Sequence, residues 1–264
     1  MLKFAAICPH PPIIIPSIGR ENLSLVSATV QAMKTLAREV RDLGLETIVV
    51  ISPHGPYQTD FMTIIGQETL EGDFLDFGAD DISMKFANDT DLAMSIKNIS
   101  DAKGVPAEIL AREIVLDHGS MVPLYFLTKH VSDMKIVPVA FSELDYGKHL
   151  EFGKAIYEAI QNTDRKVGLV ASGDLSHRLT PDAPAGYSPA GKKFDSIIVE
   201  LLEAGKADEI LRIDSNLIEE AGECGLRSII IALGALANSE SKFQKLSYEG
   251  PFGVGYLVGR FLVS

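Results

Sequence analysis

Stretches of β-branched and other apolar residues alternate along the chain with stretches in which apolar residues recur every three to four positions. The first pattern predicts buried strands and the second predicts amphipathic helices. The segment Asn22–Leu43 shows the helical pattern most clearly, with Val30, Met33, Ala37 and Val40 on one side. This alternation predicts an α/β fold with three layers, α/β/α, around a central mixed, mostly parallel sheet.

The predicted strands are Leu2–Cys8, Thr47–Ser52, Met62–Ile65, Lys135–Phe141, Val167–Ser172 and Val254–Leu262. The predicted helices are Asn22–Leu43, Asp91–Lys103, Ser120–Val131, Lys148–Asn162, Pro189–Ala204 and Glu223–Ala237. No linker rich in proline and serine and no block of like charges divides the chain. Residues 1–264 are therefore expected to form one domain.

The composition excludes several classes of partner. The chain carries 36 acidic and 24 basic residues, and its formal net charge of −12 would repel nucleic acid and anionic lipid surfaces. Its apolar runs are too short to span a bilayer, and its first residues lack the pattern of a signal peptide, so we expect a cytoplasmic protein. The only two cysteines, Cys8 and Cys224, are not expected to form a disulfide in that compartment. The sequence leaves the oligomeric state open, a homo-oligomer included.

Four of the six histidines lie where a predicted strand ends or a helix begins: His10, His54, His118 and His177. In α/β sheets the ligand crevice lies outside the carboxyl ends of the strands. These four side chains are therefore expected to converge there. The other two, His130 and His149, lie in or beside predicted helices and are predicted to be on the surface.

His10 and His54 each follow a strand and a proline, so sharp turns present both imidazoles rigidly. Two histidines and one carboxylate form the facial site of non-haem Fe(II) oxygenases. The preferred carboxylate is Glu223, predicted to open a helix whose dipole favours an anion. Cys224 is a competing ligand and Glu249 a weaker one, and another divalent metal such as zinc would also accept such donors.

His177 is the candidate general base, and Asp174 is expected to hold its ring in one tautomer. His118 is the candidate donor of a hydrogen bond to substrate or dioxygen. Ser172 or Ser176 could instead serve as the nucleophile of a hydrolase, although the chain has no Gly-x-Ser-x-Gly motif to support that role.

In these motifs the chain resembles the catalytic LigB-type subunit of class III extradiol ring-cleaving dioxygenases, and more closely their Memo-like branch. The resemblance covers nearly the whole chain. The motifs that carry it are Cys8-Pro9-His10-Pro11-Pro12, Ser52-Pro53-His54-Gly55, Ser172-Gly173-Asp174-Leu175-Ser176-His177, and Gly222-Glu223-Cys224-Gly225 followed by Gly234-Ala235-Leu236.

The resemblance implies a LigB-like fold, His10 and His54 as metal ligands, His177 as the acid/base, and a small aromatic diol and dioxygen as substrates. It implies a glutamate as third ligand in the dioxygenases but a cysteine in the Memo-like proteins, and this chain has both, at Glu223 and Cys224. The Memo-like branch also implies AMMECR-type or radical-SAM partner proteins. Two alternatives therefore stay open: a metal-binding accessory protein without ring cleavage, and a metal-dependent hydrolase.

Overall fold

Ten strands form one mixed sheet in the computed structural model, which describes residues 1–263. The strands are β1 (Leu2–Cys8), β2 (Thr47–Ser52), β3 (Met62–Ile65), β4 (Thr69–Phe74), β5 (Ala79–Asn88), β6 (Ala107–Leu110), β7 (Lys135–Ala140), β8 (Val167–Ser172), β9 (Ser241–Glu249) and β10 (Tyr256–Val263). The helices are α1 (Pro16–Gly19), α2 (Ser27–Leu43), α3 (Thr90–Ala102), α4 (His118–Leu127), α5 (Tyr146–Gln161), α6 (Pro189–Glu203), α7 (Ala207–Ile210), α8 (Ser215–Ala221) and α9 (Leu226–Leu236). Short 3-10 helices occupy Pro12–Ile14, Arg20–Val26 and Leu75–Phe77.

The order of strands across the sheet is β4-β5-β7-β2-β8-β1-β10-β9, and β3 pairs with both β6 and β7. The four central strands, β7, β2, β8 and β1, run parallel. Because parallel strands end at the same edge of a sheet, the segments that follow β1, β2 and β8 lie side by side. Those segments carry His10, His54, Asp174 and His177.

Side chains on the two faces of the sheet belong to two separate hydrophobic layers. Phe4 and Ala6 of β1 pack in the layer that includes α2 and α4, whereas Ala5 and Ile7 pack in the layer that includes α3, α5, α6 and α9. This follows from the alternation of side chains along a strand. The central strand β2 is buried along its whole length, as expected for a parallel strand with helices on both faces. The predicted three-layer α/β/α fold is confirmed.

Strands β1, β2, β3 and β8 have the predicted bounds, β7 is one residue shorter, and β10 begins two residues late. Strands β4, β5, β6 and β9 were not predicted. Three of these, β4, β5 and β9, are long but half exposed, and they lack the continuous apolar run of a buried strand.

Helix α6 begins at the predicted residue, helices α3, α4 and α5 begin one or two residues earlier than predicted, and the starts of α2 and α9 differ by more. Helix α2 begins at Ser27 because Arg20–Val26 forms a 3-10 helix instead. Helix α9 begins at Leu226 rather than at Glu223, and this shift matters for the site described below. Within residues 1–263, none of the helices combines the length and the apolar composition that crossing a bilayer requires.

Candidate metal centre

Two imidazoles meet at the carboxyl edge of the sheet. The Nε2 atoms of His10 and His54 lie 3.1 Å apart, and the two rings meet edge to face. The Sγ atom of Cys224 lies 3.7 Å from Nε2 of His10. Among the described residues, these three side chains form a group whose possible ligand atoms all lie within 4.8 Å of one another. His10 is buried at the base of this pocket and His54 is exposed at its mouth.

Hydrogen bonds fix the ring of His10. The hydroxyl of Ser172 donates to the carbonyl oxygen of Gly119 at 2.5 Å. Since a serine hydroxyl has only one hydrogen, its oxygen must accept from Nδ1 of His10, which lies 3.0 Å away. The proton therefore sits on Nδ1, and the lone pair of Nε2 points toward His54 and Cys224. Metal-binding histidines are commonly oriented in this way by a partner on the other ring nitrogen.

The spacing of these donor atoms fits a single transition metal. Two nitrogens bound to one metal at roughly 2.0–2.1 Å lie about 2.9–3.4 Å apart for bond angles between a right angle and the tetrahedral angle. The observed 3.1 Å between the two Nε2 atoms falls in that range. Burial lowers the pKa of His10 well below its ordinary value, and partial desolvation of the ring, together with the nearby His118, lowers that of His54 to about 4, so both rings are neutral near pH 7, as ligation requires.

Burial also raises the pKa of the Cys224 thiol well above its ordinary value, and it raises the pKa of Asp174 to about 7. Both groups are thus costly to ionise in this pocket. A bound cation would offset that cost, because it is the strongest local charge that such a pocket can hold. The donor set and its electrostatics therefore fit a metal ion.

Glu223, the preferred carboxylate ligand in the sequence analysis, does not join the two histidines. Its Oε2 atom accepts a hydrogen bond from the backbone N–H of Leu226 at 2.5 Å, so the carboxylate caps the start of α9. Glu249 is engaged elsewhere too, since its carboxylate accepts from the backbone N–H groups of Ala28 and Thr29 at the start of α2. The geometry thus favours Cys224 over both carboxylates.

A close backbone contact brings Cys224 into the pocket. A Cβ atom on Gly173 would lie 2.2 Å from the Cα atom of Gly225, so only glycine allows the two loops to approach this closely. Across this contact the backbone N–H of Cys224 donates to the carbonyl oxygen of Asp174, and the N–H of Asp174 points at the sulfur at 3.4 Å. The loop before α9 is therefore docked onto the end of β8 with its thiol next to His10.

His177 has a different orienting partner from the one predicted. Its Nδ1 atom lies 2.7 Å from the carbonyl oxygen of Gly222, which can only accept, so Nδ1 carries the proton and Nε2 is free to take one. The predicted partner, Asp174, instead accepts from the backbone N–H of His10 at 3.0 Å, and its other oxygen lies 3.9 Å from Nε2 of that residue. Burial lowers the pKa of His177, so its ring is neutral near pH 7.

A buried carboxylate supports the loop that carries His177. Asp195 of α6 accepts hydrogen bonds from the backbone N–H of Ser176 at 2.9 Å and from the hydroxyl of Tyr248 at 2.6 Å. Burial raises the pKa of Asp195 to about 6 despite both hydrogen bonds. The sequence analysis did not single out this residue, because it lies within an ordinary amphipathic helix.

His118 lies in the same pocket, at the first turn of α4. Its ring stacks on that of His54, with centroids 4.3 Å apart, and lies 5.4 Å from that of His10. The ring of Phe77, 39% exposed, lies 5.4 Å from His118 at the pocket mouth. Phe77 belongs to the 3-10 helix after β4, a strand that was not predicted, so no sequence signal placed it here.

The hydroxyl groups considered for hydrolysis are both engaged. Ser172 is held between Gly119 and His10, and Ser176 donates to the carbonyl oxygen of Ala221 at 2.7 Å. His10 donates to Ser172 and so cannot remove its proton, and the proton of Ser176 is directed at a backbone carbonyl oxygen. The geometry therefore gives no support to a serine nucleophile.

His130 is exposed as predicted, but the prediction of a surface position for His149 is wrong. Its ring is fully buried, and its two nitrogens lie 2.9 and 3.1 Å from the carbonyl oxygens of Asp145 and Ser142. This histidine has a structural role between β7 and α5 and lies outside the pocket.

The fold and the pocket define an α/β protein with a candidate mononuclear metal centre at the carboxyl edge of its sheet. Residues 4–259 match the family model described as the catalytic LigB subunit of aromatic ring-opening dioxygenase. Because this match spans nearly the whole sequence, the chain belongs to the LigB family, as its motifs predicted.

Relatives within the family differ in the activity that their names state. Protein CA_C1420 of Clostridium acetobutylicum is 34% identical over 258 residues, which cover 95% of this chain and 55% of that protein. The 3,4-dihydroxyphenylacetate 2,3-dioxygenase of Escherichia coli is 24% identical over 250 residues, covering 89% of this chain and 90% of the enzyme. A MEMO1 family protein of Methanococcus vannielii is 28% identical over 142 residues, covering 51% of this chain and 46% of that protein.

This chain thus spans about half the length of the Clostridium protein, whereas the match to the Methanococcus protein covers about half of each chain. Among solved structures, the uncharacterized protein JW3007 from Escherichia coli K12 superposes with a TM-score of 0.69 over 98% of this chain and 99% of that one. At 17% identity this likeness establishes the shared fold.

Proposed function

We propose that this protein is a metal-dependent dioxygenase that cleaves the ring of a catechol-type aromatic diol. The observation that carries the proposal is the 3.1 Å approach of two neutral Nε2 atoms, which leaves a metal-sized position between His10, His54 and Cys224. Two features support it: a neutral base, His177, near His10 and His54, and alignment over 89% of the chain with an enzyme named 3,4-dihydroxyphenylacetate 2,3-dioxygenase.

Fe(II) is the proposed metal. When bound, it would supply open coordination positions and the electron transfer that dioxygen chemistry requires. The protein groups hold the donors in place: Ser172 fixes the tautomer of His10, and the contact between Gly173 and Gly225 fixes the position of Cys224.

His177 is the proposed general base, because its free Nε2 atom can accept a phenolic proton while the carbonyl oxygen of Gly222 holds the opposite nitrogen. His118, stacked on His54, would donate a hydrogen bond to a substrate oxygen. Phe77 would contact the aromatic ring of the substrate from the mouth of the pocket. His118 contacts the ligand His54 and Phe77 contacts His118, while His177 is near enough to help lower the pKa values of His10 and His54.

A second candidate function is supported by the thiol of Cys224. A thiolate suits softer metals such as zinc, and non-haem Fe(II) oxygenases use a carboxylate in that position. Together with the MEMO1 family relatives, this favours a metal-binding accessory protein that does not cleave rings. Under this proposal, AMMECR-type or radical-SAM proteins are the expected partners.

Oxygen consumption distinguishes the two functions. Protein loaded anaerobically with Fe(II) to one ion per chain would be mixed with a panel of catechols that includes 3,4-dihydroxyphenylacetate, and oxygen uptake and ring-cleaved product would be followed together. We expect stoichiometric uptake and product with at least one catechol, and none with the matched His10→Ala variant. Full metal occupancy without uptake on any catechol would reject the dioxygenase and leave the accessory function.

A further inference from the structure

A second concave site lies between the outer face of α2 and the end of α4. The groove has a volume of about 370 Å³, within the range of small-ligand sites. Its walls include Lys34, Arg38 and Arg41 of α2 and Lys129 just after α4. Tyr125, also in the wall, lies seven residues after His118, or about 10 Å along the helix from the metal pocket.

The groove is unusually basic for an acidic protein. Lys and Arg make up 24 of the 264 residues of the chain but four of the ten residues that line this groove, and none of the ten is acidic. Another surface groove, beside α6 and α8, shows the usual mixture, with Lys193 next to Glu200, Glu209 and Asp214. The positive lining is therefore a local feature that opposes the net charge of −12.

Most of this positive charge is not neutralised by neighbouring carboxylates. Within the described residues, the ion pairs do not include Lys34, Arg38 or Lys129; Arg41 is paired with the exposed Asp42. The remaining acid of this part of α2, Glu39, is held by the guanidinium of Arg260. Three cations thus face the groove without an ionic partner.

One wall of the groove is apolar and aromatic. Tyr125 and Phe126 line it together with Ala37, and the ammonium of Lys129 lies 5.8 Å from the centre of the Tyr125 ring. A ligand that fits both walls has a concentrated negative charge for the cations and a flat apolar body for the aromatic side. A phosphate group carries nearly two charges and matches the donors of arginine and lysine.

We propose that the groove between α2 and α4 binds a phosphorylated small molecule with an aromatic ring, of the nucleotide type. This site is independent of the proposed dioxygenase function, because none of the groups that line it belongs to the metal pocket. Lys34, Arg38 and Lys129 bind the phosphate, and Tyr125 contacts the ring.

Isothermal titration calorimetry with ADP tests the proposal, with adenosine and inorganic pyrophosphate as partial probes. We expect saturable binding of one ADP per chain, weakened by salt, and weaker binding of both partial probes because each lacks one half of the ligand. The double variant Lys34→Glu with Arg38→Glu should bind ADP at least tenfold more weakly. If the charge reversal disturbs folding, the milder double variant Lys34→Gln with Arg38→Gln takes its place, and it should also bind ADP more weakly than the unchanged protein.

The matched control reverses two exposed lysines of α6, Lys192→Glu with Lys193→Glu, which changes the net charge by the same amount. It should keep the affinity for ADP within about twofold, and so should His10→Ala, which alters only the metal pocket. Absence of saturable ADP binding would overturn the proposal. So would an equal loss of ADP affinity in the groove variant Lys34→Glu with Arg38→Glu and in the α6 control, or a loss of ADP affinity in His10→Ala alone. Binding of polyglutamate but not of ADP would also overturn it and indicate an acidic protein segment as the occupant.

Discussion

Replacing Cys224 with serine separates the two adjacent candidates for the third metal ligand. Serine keeps nearly the same volume but offers a hydroxyl, a poor ligand for a divalent transition metal, in place of a sulfur 3.7 Å from Nε2 of His10. Replacing Glu223 with glutamine should preserve the hydrogen bond to the N–H of Leu226, because the amide oxygen can still accept.

Loss of residues that only support a ligand typically weakens metal affinity about ten- to a hundredfold. Since the structure places the sulfur in the donor group itself, Cys224→Ser should weaken affinity by more than about a hundredfold. Glu223→Gln should weaken it by less than about tenfold, since this side chain caps α9 and does not face the two imidazoles.

Metal content per chain, measured after dialysis against a competing chelator, checks both variants. His10→Ala and His54→Ala serve as controls that should release the metal. In protein loaded with Co(II), the near-ultraviolet band of a thiolate bound to the metal should be present in Glu223→Gln and absent in Cys224→Ser. Undiminished occupancy in Cys224→Ser, or release of metal by Glu223→Gln with a native circular dichroism spectrum, would refute the assignment and restore the carboxylate as ligand.

Three further predictions concern residues around the ligands. His177→Ala should keep the metal but lower turnover on an accepted catechol by about a hundred- to ten-thousandfold, as expected for a general base; loss of metal in this variant would make His177 a ligand. Phe77→Ala should raise KM roughly two- to tenfold with little change in kcat, because it removes one aromatic contact to the bound ring; an unchanged KM would place the substrate elsewhere. Asp195→Asn should flatten the pH dependence of stability. Burial raises the pKa of Asp195 to about 6, so its ionisation increasingly destabilises the folded state as the pH rises above about 4, by about 3 kcal/mol at pH 7. Urea unfolding of both proteins at pH 4.5 and 7 should show this difference, and parallel pH profiles would contradict it.

Local patterns were sufficient for the central part of the fold. Continuous apolar runs such as Thr47–Ser52 predicted strands with the right bounds, because a parallel strand covered on both faces must be apolar along its length. The half-exposed strand Ala79–Asn88 was missed, because one of its faces is exposed to solvent and its sequence therefore lacks a continuous apolar run. His149 was misplaced for a different reason: a histidine within a helical pattern gives no sign of burial, yet its two nitrogens lie against carbonyl groups of the turn that leads into α5.

For the site, the sequence by itself determined which residues follow the central strands, and therefore that His10, His54 and His177 lie along one edge of the sheet. Only the tertiary structure decided which of two adjacent residues, Glu223 or Cys224, lies beside the two imidazoles. Glu223 and Cys224 are adjacent, but α9 begins at Leu226 and draws the carboxylate to its free N–H groups. The contact between two glycines of distant loops, at residues 173 and 225, then directs the thiol to His10. Such a contact depends on how two loops pack against each other, and no local pattern of residues encodes it.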